Sequence, residues 1–399
     1  MTDENFKTIT ISELTPGMYV SDIVEQSGKV KLKSQGRVTS QNVVTALRKR
    51  GVLKLIIDLS KQFDPEDESA KTEQSDATIS KKEKKTKANF NTELVKAETI
   101  YKQGKSIQKA LLNAVKQGLP FDDRIPSAFS HSLIESVDRN PDALLCLTRI
   151  REKDDYLLEH SLNVAILLAN FARHMGMDDD AVQDLACAGF LHDLGKIRIP
   201  DEILHKPARL TDDEMEVMRR HVEYGVEALM DVELDKALIR TVSEHHERLD
   251  GLGYPAGTKG DDISVAGRML AIADMYDALT ADRCYKPGMP SQKAFKILMS
   301  DCPNKLDTAL VQQFIKSMGI FPVGSLVQLS NDRLAMVLEQ TDNPLKPVVK
   351  VFYSVKGNHY VPAKDINLVQ DSRIKVEKAV KASDFKIDFN QYFSQHISL

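Results

Sequence analysis

The spacing of apolar residues along the chain predicts helices in its middle and strands towards its C-terminal end. From Tyr156 to about Met318 nearly every segment has apolar residues at intervals of three and four, the period of an amphipathic or buried helix. After Phe321 short alternating runs, interrupted by Asn, Asp, Gly and Pro, predict a small antiparallel sheet of about four strands. Residues 7–60 combine both patterns, because strand-like alternation surrounds one segment of helical spacing. The predicted fold class is therefore mainly α, with a small mixed α/β domain first and a small antiparallel β appendage last.

A change of composition after residue 60 separates the first part from the rest. Residues 61–90 have almost no apolar side chains and divide into an acidic half and a lysine-rich half, which predicts a charged, disordered linker. The lysines between Lys81 and Lys87 could contact nucleic acid or a membrane, although a solvated tether explains them more simply. The predicted division is a small α/β domain at 1–60, this linker at 61–90, a helical connector at 91–150, an all-helical domain at 151–320 and a β-rich appendage at 321–399.

The composition is typical of a soluble globular protein and provides no electrostatic attraction for polyanions. Of the 399 residues 42% are hydrophobic and 28% are charged, and the formal net charge is -4. We therefore expect neither a nucleic acid polymer nor a membrane as a partner, and any phosphate must be bound locally. Three features of the sequence favour a cytoplasmic location. The four cysteines are scattered and form no C-x-x-C motif, the start lacks an apolar leader, and no apolar run approaches the roughly 18 residues that span a bilayer.

Histidines concentrate in the predicted helical part. Seven of the ten fall within residues 160–246, most of them on or beside apolar helices. A single histidine on an apolar helix face is usually a core residue, but a cluster of histidines also fits a metal site. His192 and Asp193 stand together at a predicted helix end, where Gly195 is expected to form a left-handed cap and Lys196 follows.

Three further segments carry residues that suit metal ions. His221 lies in a predicted helix whose start is fixed by a capping box at Thr211. His245 and His246 are adjacent, and neighbours on a helix point about 100° apart, so both serve one centre only if it is large or holds two ions. Asp274 is a carboxylate amid apolar residues, which is costly to bury unless it is paired or binds a cation.

These ligand types indicate a hydrolytic metal centre. Nitrogen and oxygen ligands without sulfur favour iron, manganese, zinc or a similar divalent ion. Two such ions, bridged by a carboxylate and a hydroxide, suit hydrolysis of a phosphodiester, because they lower the pKa of the water and neutralise charge on the phosphorus centre.

Five motifs follow one another between residues 156 and 318: EHSLNVA, HDLGKIRIPDEIL, HVEYG, EHHERLDGLGYP and AIADMYDALTADRCYKP. The pair HD alone is a weak signal, but this ordered set resembles the HD-GYP family, a branch of the HD phosphohydrolase superfamily whose members hydrolyse the bacterial messenger cyclic di-GMP. The segments at 7–60 and 321–370 are similar to the small N-terminal domain and β tail of some members. The resemblance implies an HD-type helical domain and a metal-dependent cyclic di-GMP phosphodiesterase.

Position by position, the resemblance implies a set of metal ligands and two catalytic residues. The implied ligands are His160, His192, Asp193, His221, His245, His246 and Asp274. Asp193 would bridge two divalent ions, expected to be iron or manganese, and Lys196 would contact the scissile phosphate and offset its developing charge. Some members have a glutamate four residues before the first histidine that helps to hold a third metal, and here that position is Tyr156. We therefore expect two ions and, by family analogy, linear pGpG rather than GMP as the first product.

The resemblance also implies substrate-binding residues around this centre. Arg283 and Lys286 would clamp substrate phosphates, with Tyr285 close by, because an arginine fork binds phosphate in a bidentate way. Gly253-Tyr254-Pro255 would shape the loop over the pocket, glycine allowing a close turn and proline stiffening it. Lys196 would take part in substrate binding as well as in catalysis.

Other interpretations stay open. Lys196 could be a simple helix-end cation, and Arg283 could pair with a neighbouring aspartate instead of a phosphate. Tyr254 could merely anchor its loop. The metal site could serve another nucleotide, such as a related cyclic dinucleotide. The chain could also be a dinucleotide receptor or a protein-interaction module with little turnover, and it could form a homodimer or bind partner signalling proteins.

Overall fold

The computed structural model describes residues 6–27, 36–38, 44–45, 47–48, 51–61, 87–149, 156–281, 288–371, 373–385, 387 and 392. The chain forms two compact units, Met1–Lys85 and Thr86–Leu399. The predicted linker at 61–90 falls mainly on residues 62–86, which lie outside the described ones. Within the described ranges, no helix combines the length and the apolar character needed to cross a membrane.

The first unit contains a four-stranded antiparallel sheet. Its strands are β1 (Phe6–Thr10), β2 (Tyr19–Gln26), β3 (Gly36–Arg37) and β4 (Val52–Asp58), in the spatial order β1-β4-β2-β3. A short 3-10 helix, Leu59–Lys61, follows. Ile9, Val20, Leu55 and Ile57 belong to one small core of buried residues. The alternating pattern seen in the sequence is explained by this arrangement, since one face of the sheet packs on that core.

The second unit is helical over most of its length. Its helices are α1 (Phe90–Lys116), α2 (Arg124–Arg139), α3 (Pro141–Leu147), α4 (Tyr156–His174), α5 (Asp179–Leu191), α6 (Asp201–Leu204), α7 (Asp212–Arg219), α8 (His221–Met230), α9 (Lys236–Ser243), α10 (Val265–Thr280), α11 (Ser291–Ser300) and α12 (Thr308–Met318). Two 3-10 helices, Leu194–Arg198 and Gly260–Asp262, lie between them.

Helix α4 forms the centre of the helical part. Every residue from Leu162 to Ala172 is buried, as expected for a helix that is apolar on nearly all sides. It packs against α5, α10 and α12. Polar caps fix where the neighbouring helices begin: the Asp178 side chain accepts from the Ala181 amide at the start of α5, and Ser264 caps α10. Helices that later contribute to the functional site are therefore anchored on one core.

A five-stranded antiparallel sheet follows the helices. Its strands are β5 (Leu326–Leu329), β6 (Arg333–Glu339), β7 (Val348–Ser354), β8 (His359–Asn367) and β9 (Val376–Ala379), in the order β8-β7-β6-β5-β9, with a 3-10 helix at Ala382–Phe385. The predicted mainly α fold with two small β-containing parts is confirmed. The sequence indicated about four strands here. The short strand β9 was not recognised, because its sequence VEKA has no buried side chain and so lacks an apolar face.

Candidate metal centre and active site

Five segments that are distant in the chain meet at one buried cluster of imidazoles and carboxylates. They are helix α4, the turn after α5, the start of α8, the turn after α9, and helix α10. They contribute the residues predicted as ligands, His160, His192, Asp193, His221, His245, His246 and Asp274. Three overlapping triads have ligand atoms within 4.8 Å of one another: His221 with His245 and His246, His160 with His192 and Asp274, and His192 with Asp193 and His245. The structure thus brings all seven together.

The Asp193 carboxylate lies between imidazoles from three segments. Its Oδ2 atom is 3.4 Å from His160 Nε2 and 3.3 Å from His192 Nε2, and its Oδ1 atom is 3.5 Å from His221 Nε2. The Lys196 ammonium donates to the same Oδ2 atom at 2.5 Å. Burial raises the pKa of Asp193, but the electrostatic interactions with His192 and with the Lys196 ammonium lower it well below its usual range, so the group is a carboxylate. Its two oxygens could therefore reach two different cations.

Asp274 connects two of the histidines from the side of helix α10. Its Oδ1 atom is 3.0 Å from His160 Nε2, and its Oδ2 atom is 3.8 Å from His246 Nδ1. Burial raises the pKa of Asp274, but the hydrogen bond from His160 and the nearby imidazoles lower it well below its usual range. A second anionic ligand is therefore present in the cluster.

Three of the histidines orient their rings through the same local contact. In His192, His221 and His245 the Nδ1 atom is 2.8, 2.7 and 2.6 Å from the carbonyl oxygen of the residue three positions earlier. Those carbonyl groups belong to helical turns, whose last oxygens lack partners within the helix. Each Nδ1–H donates to its carbonyl, so the Nε2 lone pair remains available and faces the cluster.

His160 is oriented by a side chain instead. Its Nδ1 atom lies 2.7 Å from Oδ2 of Asp277, one turn of α10 beyond Asp274. Burial opposes a charge on this ring, but the hydrogen bonds with Asp274 and Asp277 raise the pKa of His160 to about 9. Asp277 is thus the carboxylate partner that holds a candidate ligand in place, an arrangement common behind metal-bound imidazoles.

His221 and His246 are held in the neutral form that binds metals. Burial, with the nearby positive charge of Lys196, lowers the pKa of His221 to about 4. Burial and the neighbouring His221 lower the pKa of His246 to about 3. Near pH 7 neither ring must lose a proton before its nitrogen can bind a cation.

The residues present fit a divalent metal centre. Nε2 of His192 and Oδ1 of Asp193 are buried, and neither makes a hydrogen bond within the described part of the chain. Buried polar atoms without a partner are costly, and a cation between them would remove that cost. The full set combines five imidazoles and two carboxylates without sulfur, which suits iron, manganese or zinc.

Gly195 has a different role from the one predicted. It is not in the left-handed conformation, and the chain continues after Asp193 as a 3-10 helix. Instead, a Cβ atom at this position would lie 1.9 Å from the carbonyl oxygen of His221 and 2.4 Å from the amide nitrogen of Gly225. Glycine is required because the Asp193 turn and helix α8 approach each other backbone to backbone. This close approach positions His221 near Asp193.

The predicted helix around His221 is divided in two. The capping box at Thr211 is confirmed, since its side chain and that of Glu214 each accept the other residue's amide. However, α7 ends at Arg219 and α8 begins at His221. Likewise, His245 and His246 lie in the turn after α9, with ring centroids only 4.0 Å apart. Because His245 and His246 lie outside the helix, their two rings can face the same centre.

The loop that contains Gly253-Tyr254-Pro255 folds back onto this turn. A Cβ atom on Gly253 would lie 2.6 Å from the Cα atom of Glu247, so glycine is required here by a close approach between two backbone segments. The Tyr254 ring is half-buried, and its centroid is 4.7 Å from that of His246. Burial and the Asp274 carboxylate raise the pKa of Tyr254, so its hydroxyl remains protonated.

Comparisons with known proteins identify the family. A family model described as an HD domain matches residues 144–310, one described as a KOW domain associated with HD domain matches 326–387, and one described as a domain of unknown function (DUF3391) matches 6–123. The chain is 34% identical over 368 residues to the cyclic di-GMP phosphodiesterase PA4108 of Pseudomonas aeruginosa, covering 91% of this chain and 89% of that protein. The chain belongs to the HD-GYP family. This HD-GYP protein is a phosphodiesterase.

Other HD-GYP relatives match a smaller part of the chain. The 3'3'-cGAMP-specific phosphodiesterase 3 of Vibrio cholerae is 32% identical over 204 residues, which is 51% of this chain and 42% of that protein. The chain thus spans less than half of that relative's length. Among solved structures, Bd1817, an HDG"Y"P protein from Bdellovibrio bacteriovorus, has 18% sequence identity and a TM-score of 0.47, covering 78% of this chain and 98% of that chain.

Some residues of the predicted site lie outside the described part of this HD-GYP chain. They are Arg283, Tyr285 and Lys286, which fall in the undescribed stretch 282–287. Tyr156 is the first residue of α4, and its side chain, on which the expected number of ions depends, is not among those described. The roles of these four residues stay predictions. Glu159, next to His160, pairs with Lys105 of α1 at 3.3 Å.

Two buried glutamates, Glu244 and Glu247, flank the adjacent histidines and were not predicted from the sequence. The Oε2 atom of Glu244 accepts the amide of Ser264, the cap of α10, at 3.0 Å. The Oε1 atom of Glu247 accepts the amides of Ala256 and Gly257 at 2.8 and 3.0 Å. One glutamate therefore holds the start of the helix that carries Asp274, and the other holds the loop that carries Tyr254. The pattern E-H-H-E was the available signal, since charged residues are rarely buried unless they have partners.

Proposed function

We propose that this chain hydrolyses cyclic di-GMP with the help of two divalent metal ions, iron or manganese, and that linear pGpG is the first product. The observation that carries the proposal is the buried Asp193 carboxylate, which faces imidazoles on both of its oxygens while one oxygen lacks a hydrogen bond. The substrate is supported by the name of the Pseudomonas relative, which aligns with nearly the whole chain.

The proposed ligands would hold the ions, and hydrogen bonds within the chain fix the orientation of four ligand rings. His160, His192, His221, His245, His246, Asp193 and Asp274 would bind the two ions, with Asp193 shared between them. When bound, the ions supply hydrolytic chemistry by lowering the pKa of a water and by offsetting charge on the phosphate. The hydrogen bonds behind the imidazoles keep the Nε2 atoms directed at the centre, so little reorganisation is needed when substrate arrives.

Lys196 would act on the scissile phosphate. Its ammonium group lies 2.5 Å from Asp193 Oδ2, and its side chain remains partly open to solvent. An ammonium at the edge of the centre can donate to a phosphate oxygen and stabilise the negative charge that develops during attack by water. In this reaction water forms a new bond to phosphorus, the bond to the ribose 3' oxygen breaks, and that oxygen takes up a proton.

The remaining substrate contacts are assigned to residues around the cluster. Gly253-Tyr254-Pro255 would form one wall of the pocket beside His246, with the neutral Tyr254 hydroxyl available for a hydrogen bond. Arg283, Tyr285 and Lys286 are proposed to hold phosphates as the family resemblance implies. Binding energy from such contacts positions the scissile bond.

The proposal is tested with metal-loaded protein and pure nucleotides. Protein purified without oxygen is loaded with iron or with manganese, incubated with cyclic di-GMP, and the products are separated by chromatography. We expect pGpG to appear before any GMP. No cleavage with any divalent ion, by protein that elemental analysis shows to be loaded, would refute the proposal.

A second candidate substrate is 3'3'-cGAMP, because that nucleotide is in the name of the Vibrio relative. The same metal centre would cleave either nucleotide, since both contain phosphodiesters of identical chemistry. Comparison of kcat/KM for the two nucleotides decides between them. Tight binding of either one without product over hours would instead favour a receptor.

A further inference from the structure

Arg219 is an exposed arginine beside the candidate centre that the mechanism above does not use. It is the last residue of α7, two positions before His221. Its guanidinium lies over the Tyr254 ring, 5.3 Å from the centroid, and that ring contacts His246. A chain of direct contacts thus connects Arg219 to a candidate metal ligand.

Within the described residues, no carboxylate neutralises the charge of Arg219. It makes no ion pair and no hydrogen bond there, and its guanidinium contacts the face of the Tyr254 ring. Its neighbour Arg220 differs, because it pairs with Glu223 at 3.9 Å and lies over the Tyr224 ring at 5.0 Å. Lys196 also differs, since Asp193 binds its ammonium. Among the residues that the structure describes, Arg219 therefore offers an unpaired cation at the edge of the site.

A cyclic dinucleotide needs such a cation, because its ring contains two phosphodiesters and only one of them can react at the metal centre at a time. The other carries a full negative charge, and the chain as a whole is acidic. We propose that Arg219 binds the phosphodiester that is not being cleaved. This assignment rests on the proposed function and extends it to a second phosphate site.

The contact with Tyr254 favours a phosphate over a nucleobase as the ligand. A base that stacked on the same face of Tyr254 would have to displace the guanidinium. A phosphate, in contrast, binds in the plane of the guanidinium through two N–H groups and leaves the contact with the ring intact. A guanidinium that already contacts the ring has less freedom to lose when phosphate binds.

Kinetics with two substrates test the assignment. Arg219→Gln is compared with the matched control Arg220→Gln, using cyclic di-GMP and bis(p-nitrophenyl) phosphate, which has a single phosphodiester. We expect Arg219→Gln to raise KM for cyclic di-GMP on the order of tenfold with little change in kcat, as for a lost charged hydrogen bond. Its KM should also depend less on salt. The control, and the activity of both variants on the single phosphodiester, should match wild type.

The outcomes separate this assignment from the proposed function. Wild-type turnover of cyclic di-GMP with an unchanged KM in Arg219→Gln refutes the assignment alone. Equal loss on both substrates refutes it too, because Arg219 would then act only by supporting Tyr254. A wild type that cleaves bis(p-nitrophenyl) phosphate but not cyclic di-GMP refutes the proposed substrate and the assignment together.

Discussion

Four of the clustered histidines are oriented by a hydrogen bond on the ring nitrogen opposite the one that faces the cluster. For His192, His221 and His245 the partner is a main-chain carbonyl, which no substitution of the partner residue removes. For His160 the partner is the side chain of Asp277. This contact is therefore the one through which ring orientation can be tested by mutation.

Replacing Asp277 should weaken metal binding without removing a ligand. We expect Asp277→Ala to lower manganese affinity by about 10- to 100-fold, since the His160 ring loses its orientation and some basicity. Asp277→Asn should lose less of its manganese affinity, because the amide oxygen of asparagine can still accept a hydrogen bond from His160 Nδ1–H. Calorimetric titration of metal-free protein measures the effect, with Asp138→Ala, an exposed aspartate paired with Arg173, as the control. Equal affinities in Asp277→Ala and the control would contradict this role.

The seven clustered residues could be recognised as candidate ligands from the sequence because imidazoles and carboxylates are unusual in apolar helices, and the motifs gave their order; that they bind metal stays a prediction. Asp277 could not be recognised in the same way. It resembles any polar residue of a helix, and its role depends on His160, which is 117 positions away in the chain. Arg219 was missed for the same reason, because only the fold places it over Tyr254.

The backbone contact between the Asp193 turn and helix α8 controls where His221 lies. Gly195→Ala would put a Cβ atom 1.9 Å from the His221 carbonyl oxygen, so the two segments must separate. We expect a loss of about 1–3 kcal/mol in the free energy of unfolding, typical of overpacking, together with weaker metal binding. Thermal unfolding and metal titration measure both quantities.

Gly225→Ala is the matched control for this prediction. Its Cβ atom would meet the Gly195 amide nitrogen at 3.5 Å, an ordinary contact, and the residue lies inside α8. Alanine in a helix interior is favoured over glycine by roughly 0.5–1 kcal/mol, so this variant should be as stable as wild type or more so. Equal behaviour of the two variants would show that the close approach does not matter.

Glu247 should hold the loop that carries Tyr254 in place. Glu247→Ala removes the acceptor of the Ala256 and Gly257 amides, whereas Glu247→Gln keeps an oxygen in place. We expect faster hydrogen exchange at both amides and a lower kcat/KM in Glu247→Ala, with substantial recovery in Glu247→Gln. If glutamine proved as damaging as alanine to activity but not to exchange, the carboxylate would have a chemical role instead.

Helices with strong apolar periodicity were predicted well, and their interruptions were not. The separation of α7 from α8 at Arg220 leaves the periodic pattern unchanged, so the sequence indicated one continuous helix. At this break the backbone of His221 approaches Gly195 closely, a tertiary contact that periodicity does not report. Strand β9 was missed because its residues pair with β5 through the backbone without burying an apolar face.

For the molecule as a whole, the proposed metal ions would join five segments of the second unit. Without them, buried carboxylates and imidazoles are left with incomplete partners, which is costly. Treatment with a chelator should therefore lower the melting temperature, and added manganese should restore it. Saturation at 100 times Kd stabilises a fold by about 2.7 kcal/mol. A melting temperature that is insensitive to chelation, in protein that loses its metal, would contradict this coupling.

Apolar periodicity alone could not predict that these five segments meet at one site. Apolar spacing reports which face of each helix is buried but not which helix it packs against. The family resemblance supplied that information by associating the motifs with one site. The division of the chain at 1–60, 61–90, 91–150, 151–320 and 321–399 stays a prediction, as do the roles of Arg283, Tyr285 and Lys286.

The most direct test measures metal content and product in the same samples. Wild type and Asp193→Ala are purified without oxygen, checked for equal folding by circular dichroism, analysed for metals, and incubated with cyclic di-GMP. We expect about two ions per chain and formation of pGpG in wild type, and we expect both to be lost in the variant, because Asp193 would serve both ions. An Asp193→Ala protein that kept its full metal content and its turnover would show that Asp193 is not the shared ligand.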